Sequence, residues 1–179
     1  MLSVSDTMLL LIDAQEKLFN AMSNKEELLK NTQRLVEGLK VLDVPIVVTE
    51  QNPRGLGPTL SGIVELLPAY SPLDKKCFSC CQASNIMEAV KAVGRPNILL
   101  AGIEMHVCVY QTCAELLEMG YKVEIAADAV SSRNEYNKRI GIKKCLGLGA
   151  SITCVETALF ELLRTAEHEH FKAISKIIR

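Results

Sequence analysis

Hydrophobic positions along the chain fall into two kinds of segment that alternate. Short and nearly continuous apolar runs, typical of parallel strands buried on both faces, lie at 7–12 (TMLLLI), 44–49 (VPIVVT), 97–101 (NILLA), 122–126 (KVEIA) and 150–154 (ASITC). Longer amphipathic stretches, typical of helices, lie at 26–42, 83–93, 107–119, 135–146 and 156–163. A sixth, shorter strand is expected at 71–75.

This alternation of strand and helix predicts right-handed βαβ crossovers and a parallel sheet that is covered by helices on both faces. We therefore expect an α/β fold of the doubly wound, three-layer kind, formed by one domain over residues 1–179. The segment 51–72 interrupts the alternation with a turn-rich loop, NPRGLGPTLSG. Because long loops inside compact domains are usually functional, this segment is a candidate part of the site.

Composition and charge narrow the classes of function. The chain has 179 residues, is 49% hydrophobic, and carries 20 Lys and Arg against 21 Asp and Glu, for a net charge of −1. This balance predicts no nucleic-acid partner, and the absence of a long apolar run predicts no membrane span. The amino terminus has no secretory signal pattern. Seven cysteines are an odd count, so we expect free thiols and a cytoplasmic location.

Ligands of doubly wound sheets bind beyond the carboxyl ends of the strands. The residues that follow the predicted strands are therefore the candidates: Asp13, the segment 49–51, the segment 102–108, and Asp128. Each of these stretches contains a side chain that can carry charge or act as a nucleophile. The predicted site lies where they meet.

Asp13 and Cys108 are the sharpest candidates, and each has a plainer interpretation. A carboxylate at the end of a buried strand is partly desolvated, which raises its proton affinity unless a cation is close; alternatively, Asp13 caps the turn that follows. If a helix begins near His106, Cys108 lies in its first turn, where N–H groups stabilise a thiolate or hold an oxyanion. Alternatively, Cys108 is a small buried hydrophobe.

Lysine and the other cysteines give weaker signals. Lys75 and Lys76 precede the patch CFSCC, where one lysine beside a carboxylate and a thiol would favour both anions; a solvated turn is the simpler interpretation. The pair Cys77 and Cys80 has the CxxC spacing but lacks a partner pair for zinc. We expect three further cysteines to be core residues, namely Cys113, Cys145 and Cys154. His168 and His170 lie in a polar tail, so we expect no metal site there.

Five segments in this order resemble the isochorismatase-like cysteine hydrolases, and most closely the isochorismatase domain-containing branch. They are LLLIDAQ, VPIVVTEQ, DKKCFSCC, LLAGIEMHVCVYQT and AADAVSS. The resemblance extends from Ser5 to the carboxyl terminus. It implies a six-stranded parallel sheet in the order 3-2-1-4-5-6, with the third strand directly before Lys75.

The resemblance also implies a catalytic triad of Asp13, Lys75 and Cys108. Lys75 matches better than Lys76 because the family lysine lies three residues before the aromatic residue of an aromatic–serine pair, here Phe78.

The family further carries a non-proline cis peptide before the cysteine. Here it falls at Ile103–Glu104 and is expected to aim backbone N–H groups at a substrate oxygen. We assign pocket walls to four more residues: Gln15, Phe19, Gln51 and His106.

Two departures from related enzymes refine the expected activity. Nicotinamidases have a metal motif after the second strand, whereas this chain has TEQNPRGLG, so no metal and no cofactor are expected. True isochorismatases lack the nucleophilic cysteine, so Cys108 favours acyl chemistry.

We therefore expect hydrolysis of a small amide or related C–N bond through a thioester, by a homo-oligomer acting on a small molecule. Three rival interpretations remain: a binding module that holds a nucleotide or flavin without chemistry, a scaffold with this fold but no turnover, and a peroxide sensor at Cys108.

Overall fold

The central sheet has six parallel strands in the order β3-β2-β1-β4-β5-β6, as predicted. A computed structural model of the chain describes residues 1–67 and 69–179. Its strands are β1 Thr7–Ile12, β2 Ile46–Gln51, β3 Leu73–Lys75, β4 Asn97–Ile103, β5 Lys122–Ser131 and β6 Ser151–Thr153. The short strand expected before Lys75 is therefore present at the edge of the sheet.

Helices cover both faces of this sheet. Four of them are α2 Lys25–Val41, α5 Ser84–Val93, α7 Glu135–Gly147 and α8 Val155–Leu163. Three are single turns: α1 Glu16–Phe19, α3 Pro53–Leu56 and α4 Ser61–Val64. The predicted helix 107–119 is divided into a π-helical turn, Met105–Val109, and α6 Tyr110–Glu118. A last helix, α9 Phe171–Ile178, was not predicted, although its Ile174 is buried against the core.

The core consists mainly of two apolar layers, one on each side of the sheet. Leu9 and Leu11 of β1 point to the layer formed with α2, α8 and α9, while Leu10 points to the layer formed with α5 and α6. Successive residues of a strand face opposite sides, so a strand buried on both faces must be apolar throughout. This explains why TMLLLI has no polar alternation.

One glycine permits the close approach of β1 and β4 at their carboxyl ends. Gly102 has a φ of 114°, and a Cβ there would lie 1.9 Å from the carbonyl oxygen of Ile12. Only glycine accommodates this combination of backbone conformation and space. The approach places Asp13, directly after β1, beside the end of β4.

Strand β5 is longer than predicted, which corrects the placement of Asp128. The residue lies inside the strand instead of following it, and its Oδ1 accepts a hydrogen bond from Val155 N (2.9 Å) at the start of α8. Asp128 therefore anchors a helix.

Within the described residues, no helix combines the length and the apolar character needed to cross a membrane.

Candidate active site

Asp13 is fully buried, and both of its carboxylate oxygens are bound by neighbouring side chains. The residue has a φ of 51°, and its backbone N–H donates to the Thr49 carbonyl (3.1 Å). Oδ1 accepts from Thr49 Oγ1 (2.8 Å) and Oδ2 from Lys75 Nζ (2.6 Å). The carboxylate therefore serves this cluster and does not cap the turn that follows β1.

Lys75 is the buried partner of Asp13, and Lys76 is exposed. The Lys75 ammonium also donates to Gln51 Oε1 (2.8 Å) and to the carbonyls of Cys77 (3.3 Å) and Phe78 (3.1 Å). Burial acts to lower the pKa of Lys75, but the negative charge of Asp13 acts in the opposite direction, and the pKa is raised. The interpretation of this lysine as part of a solvated turn is wrong.

Cys108 lies in the π-helical turn, where Val109 N donates to Glu104 O (3.2 Å), five residues back. The side chain is nearly buried. Burial and the Asp13 carboxylate raise the pKa of Cys108 to about 12, against the opposing effect of Lys75. We expected the helix start to stabilise a thiolate, whereas burial and the Asp13 carboxylate favour the neutral thiol through this raised pKa. A base is therefore needed to form the anion.

The peptide bond between Ile103 and Glu104 is cis. The Glu104 carbonyl accepts from Val107 N (3.1 Å) as well as from Val109 N, so it closes the first turn around Cys108. Its carboxylate accepts from Arg133 N (3.0 Å) and pairs with Arg133 Nε (3.1 Å). The Glu104 side chain is thus directed to the end of β5.

The side-chain amides of Gln15 and Gln51, both predicted to line the pocket, form hydrogen bonds within the protein. Gln15 is fully buried; its Nε2 donates to Gln51 O (3.1 Å) and Gly57 O (2.6 Å), and its Oε1 accepts from Gln51 N (2.7 Å). Gln51 binds Lys75 through Oε1 and donates from Nε2 to Lys76 O (2.8 Å). The amide of Gln15 is therefore used by the loop, and its assignment as a pocket wall stays a prediction.

Phe19 and His106 face different surroundings. Phe19 packs against Met22, Leu28 and Ile103, and with Ile103 it lines a small apolar cavity. His106 Nδ1 lies 2.9 Å from Ser132 Oγ, so this ring nitrogen is directed to the end of β5. That His106 lines the pocket, and that it is not the base for Cys108, stay predictions.

Three further residues complete the cluster: Thr49, which lies in the candidate segment 49–51, and Thr112 and Glu115, which the sequence did not single out. Thr49 binds Asp13, and Thr112 and Glu115 hold the segment 77–82 on α6. Thr112 Oγ1 accepts from Cys80 N (3.0 Å), and Glu115 Oε2 accepts from Ser79 Oγ (2.8 Å). Thr112 lies four residues after Cys108, which is the spacing of one helix face and the only local signal for its role.

All seven cysteines are free thiols. Cys113 and Cys145 are buried core residues as predicted, whereas Cys154 is only partly buried and caps α8, where Thr157 N donates to its sulfur (3.5 Å). In the part of the chain that the structure describes, no group of three His, Cys, Asp or Glu residues has a geometry that could hold a metal ion.

Comparison with known proteins identifies the family. The isochorismatase domain model matches residues 7–157. A secreted isochorismatase effector, Isc1 from Phytophthora sojae, is 37% identical over 97% of this chain and 84% of its own length. Isochorismatase domain-containing protein 2 from Danio rerio is 34% identical over 99% and 89%.

Solved structures agree with this assignment. The structure titled MAR1 ribonuclease from Caenorhabditis elegans is 34% identical and superposes with a TM-score of 0.93, covering 99% of this chain and 91% of that one. YcaC from Escherichia coli, titled an octameric hydrolase of unknown specificity, shares the fold at 21% identity, with a TM-score of 0.94 over 99% and 88% of the two chains. The chain therefore belongs to the isochorismatase family and has its hydrolase fold.

Proposed function

We propose that the protein is a cysteine hydrolase that cleaves a small amide or related C–N bond through a thioester. Cys108 is the nucleophile, Asp13 the base and Lys75 the cation that holds Asp13 in place. The observation that carries the proposal is the buried Asp13–Lys75 ion pair, whose charges act directly on the neutral Cys108 thiol. Perturbed groups that converge in this way are characteristic of catalytic sites.

The first step joins proton transfer to attack. Because the pKa of Cys108 is raised to about 12, little thiolate exists at neutral pH. Asp13 therefore takes the thiol proton as the sulfur attacks the substrate carbonyl carbon. The S–C bond forms and the carbonyl π electrons move to oxygen, which gives a tetrahedral oxyanion.

Backbone N–H groups of the turn around Glu104 and Cys108 stabilise that oxyanion. Loss of one such donor typically costs about 100- to 1,000-fold in rate. The C–N bond then breaks, the leaving amine takes the proton from Asp13, and a thioester remains. Asp13 next deprotonates water, which attacks the thioester, and the thiol is restored as the acid departs.

Lys75 has a double role in this cycle. Its ammonium orients Asp13, and its bonds to the Cys77 and Phe78 carbonyls fix the segment that follows β3. Because Asp13, Lys75 and Cys108 are 0%, 4% and 6% exposed, we propose that only a small substrate reaches the Cys108 sulfur.

We also propose that the protein acts as a homo-oligomer in the cytoplasm. The octameric title of the Escherichia coli relative supports assembly, and Tyr136 and Ile140 of α7 expose apolar surface that a second copy would cover. Because the solved structure of the Caenorhabditis elegans relative is titled a ribonuclease, RNA has to be tested as a substrate beside the amides.

The test is turnover and adduct trapping with a library of small amides. We expect one or more amides to release amine and to leave an acyl group on Cys108, detected by peptide mass spectrometry. RNA is included in parallel. Cleavage of RNA with no amide turnover and no acyl adduct would contradict the proposal, as would full amide turnover by Cys108→Ala.

A further inference from the structure

We propose that Thr49 is a positioning residue of this site: its hydroxyl fixes the plane of the Asp13 carboxylate so that the carboxylate can receive the Cys108 proton. The inference rests on the proposed hydrolase function and deepens it. Thr49 contacts Asp13 and not the Cys108 thiol, so its effect on the chemistry passes through Asp13.

Thr49 holds Asp13 through backbone and side chain together. It is fully buried in β2 and pairs with Ile12 of β1. Its carbonyl accepts from Asp13 N (3.1 Å), and its hydroxyl donates to Asp13 Oδ1 (2.8 Å). The donor is therefore carried by a strand whose register with β1 is fixed by the ladder, and it has no freedom to follow a carboxylate that moves.

Lys75 alone does not fix the carboxylate plane. The last torsion of an aspartate side chain is broad, and an ammonium group acts as a compact point charge without a preferred plane. The Lys75 ammonium is also shared among Asp13, Gln51 and the Phe78 carbonyl. A second donor on the other carboxylate oxygen removes the remaining rotation, and Thr49 supplies it.

The direction of the Thr49 proton is set by a second buried thiol. Cys80 is fully buried, and its sulfur lies 3.9 Å from Thr49 Oγ1, to which the S–H donates. Cys80 is itself held by the bond from its N–H to Thr112 Oγ1 (3.0 Å). Because a hydroxyl has one proton and two lone pairs, an S–H on the acceptor side leaves the Thr49 proton for Asp13. An S–H is a weak donor, so this bond refines the arrangement and does not create it.

A purely structural role for Thr49 makes a different prediction. A hydroxyl that only satisfies a buried carboxylate affects the stability of the fold and leaves the reactivity of Cys108 unchanged. A positioning role changes the reactivity in a folded protein, and a serine at this position restores it. The rate of Cys108 alkylation against pH separates the two.

The experiment measures that rate with iodoacetamide, by mass spectrometry of the Cys108 peptide, in wild type, Thr49→Val, Thr49→Ser, Cys80→Ala and Asp13→Asn. Valine keeps the β-branched shape and removes the hydroxyl. We expect Thr49→Val to slow alkylation about tenfold or more at neutral pH and to move the profile to higher pH, since the reaction then depends on thiolate formed without a base. Thr49→Ser keeps the hydroxyl and should stay within about threefold of wild type. Cys80→Ala removes only the weak S–H donor to Thr49, so it should slow alkylation by a smaller factor than Thr49→Val.

Circular dichroism identifies the folded variants, and Thr49→Ala replaces Thr49→Val if valine prevents folding. A folded Thr49→Val or Thr49→Ala protein with the wild-type rate and pH profile would overturn the inference. If Asp13→Asn is slowed in that same assay, only the role of Thr49 fails. If Asp13→Asn also reacts at the wild-type rate, the proposed hydrolase mechanism fails with it.

Discussion

The Lys75 ammonium lies 2.6 Å from the Asp13 carboxylate, and both side chains are completely excluded from solvent. Removing one partner of such a pair leaves an uncompensated charge in the protein interior, which typically costs about 3–5 kcal/mol. The pair is therefore a structural element as well as the proposed source of reactivity, and the two roles can be separated by measurement.

Replacement of Lys75 tests both roles together. We expect Lys75→Met to lower the free energy of unfolding by about 3 kcal/mol or more, and to reduce Cys108 alkylation at neutral pH. Chemical denaturation and peptide mass spectrometry give the two values. Lys76→Met is the matched control, because Lys76 is exposed one residue away, and it should change stability by less than about 0.5 kcal/mol. Equal effects of the two substitutions would contradict the assignment of Lys75.

The thiol pKa values give a stability prediction at alkaline pH. Burial raises the pKa of Cys108, and likewise of Cys80, from about 9 in the unfolded chain to about 12 in the fold. Between these values the unfolded thiols lose protons that the folded ones keep. The unfolded state therefore binds fewer protons, and stability falls as pH rises from 9 towards 12, by at most about 1.4 kcal/mol per pH unit for each thiol.

We expect a Cys80→Ala, Cys108→Ala double variant to show a shallower loss of unfolding free energy over this range than wild type. Urea denaturation at several pH values between 8 and 11 measures the slope. Cys77→Ala, at a partly exposed position, is the control and should leave the wild-type slope unchanged. Identical slopes for the double variant and wild type would show that neither buried thiol keeps its proton at alkaline pH.

Gly102 offers a test of the approach between β1 and β4. Since a Cβ there would lie 1.9 Å from the Ile12 carbonyl, Gly102→Ala should displace the strand ends that carry Asp13 and Ile103. We expect a loss of more than about 3 kcal/mol of stability, or failure to fold. Gly147→Ala is the control, because the corresponding Cβ meets no atom within 4 Å and alanine favours a helix. A thermal melt of Gly102→Ala equal to that of wild type would contradict this description.

Substitution of single cysteines tests whether Cys108, and not another cysteine, is the nucleophile. Cys108→Ala should abolish amide turnover and trapped acyl adduct, while Cys77→Ala and Cys113→Ala should retain most of both. Cys113 is as buried as Cys108, so it controls for the loss of a core thiol. Turnover that survives in Cys108→Ala but disappears in Cys113→Ala would show that Cys113, and not Cys108, is the nucleophile.

The alternation of strands and helices and the bounds of β1 could be predicted from the hydrophobic pattern, because continuous apolar runs have few alternatives in an α/β protein. The strand order required the family resemblance, and β4 extends to Ile103, beyond its predicted end at residue 101. The full length of β5 could not be predicted either, since Asp128 interrupts its apolar pattern and is satisfied only by a contact with the start of α8. Helix α9 was missed because its short apolar pattern follows a polar segment, and its burial depends on α2 and α8.

From the sequence pattern alone, site residues could be predicted only where they follow a predicted strand. Asp13 and Cys108 have that position, but the choice between Lys75 and Lys76 required the family resemblance. The structure gives the physical reason: Lys75 pairs in register with Gln51 of β2, and neighbouring strand residues point in opposite directions. The side-chain contacts of Thr49, Thr112 and Gln15 join segments that are distant in sequence, so the hydrophobic pattern does not reveal them.

The activation of Cys108 by Asp13 is most directly measured by comparing the iodoacetamide alkylation rate of Cys108 in wild type and Asp13→Asn at neutral pH. Asparagine keeps the size of the side chain and removes the basic oxygen. Loss of the carboxylate also lowers the pKa of Cys108, so a thiol that depends only on its own ionisation would react faster in Asp13→Asn. If Asp13 is the base, Cys108 of Asp13→Asn instead reacts at least about tenfold more slowly, while exposed cysteines react at unchanged rates. A folded Asp13→Asn protein whose Cys108 reacts as fast as that of wild type, or faster, would contradict the role of Asp13.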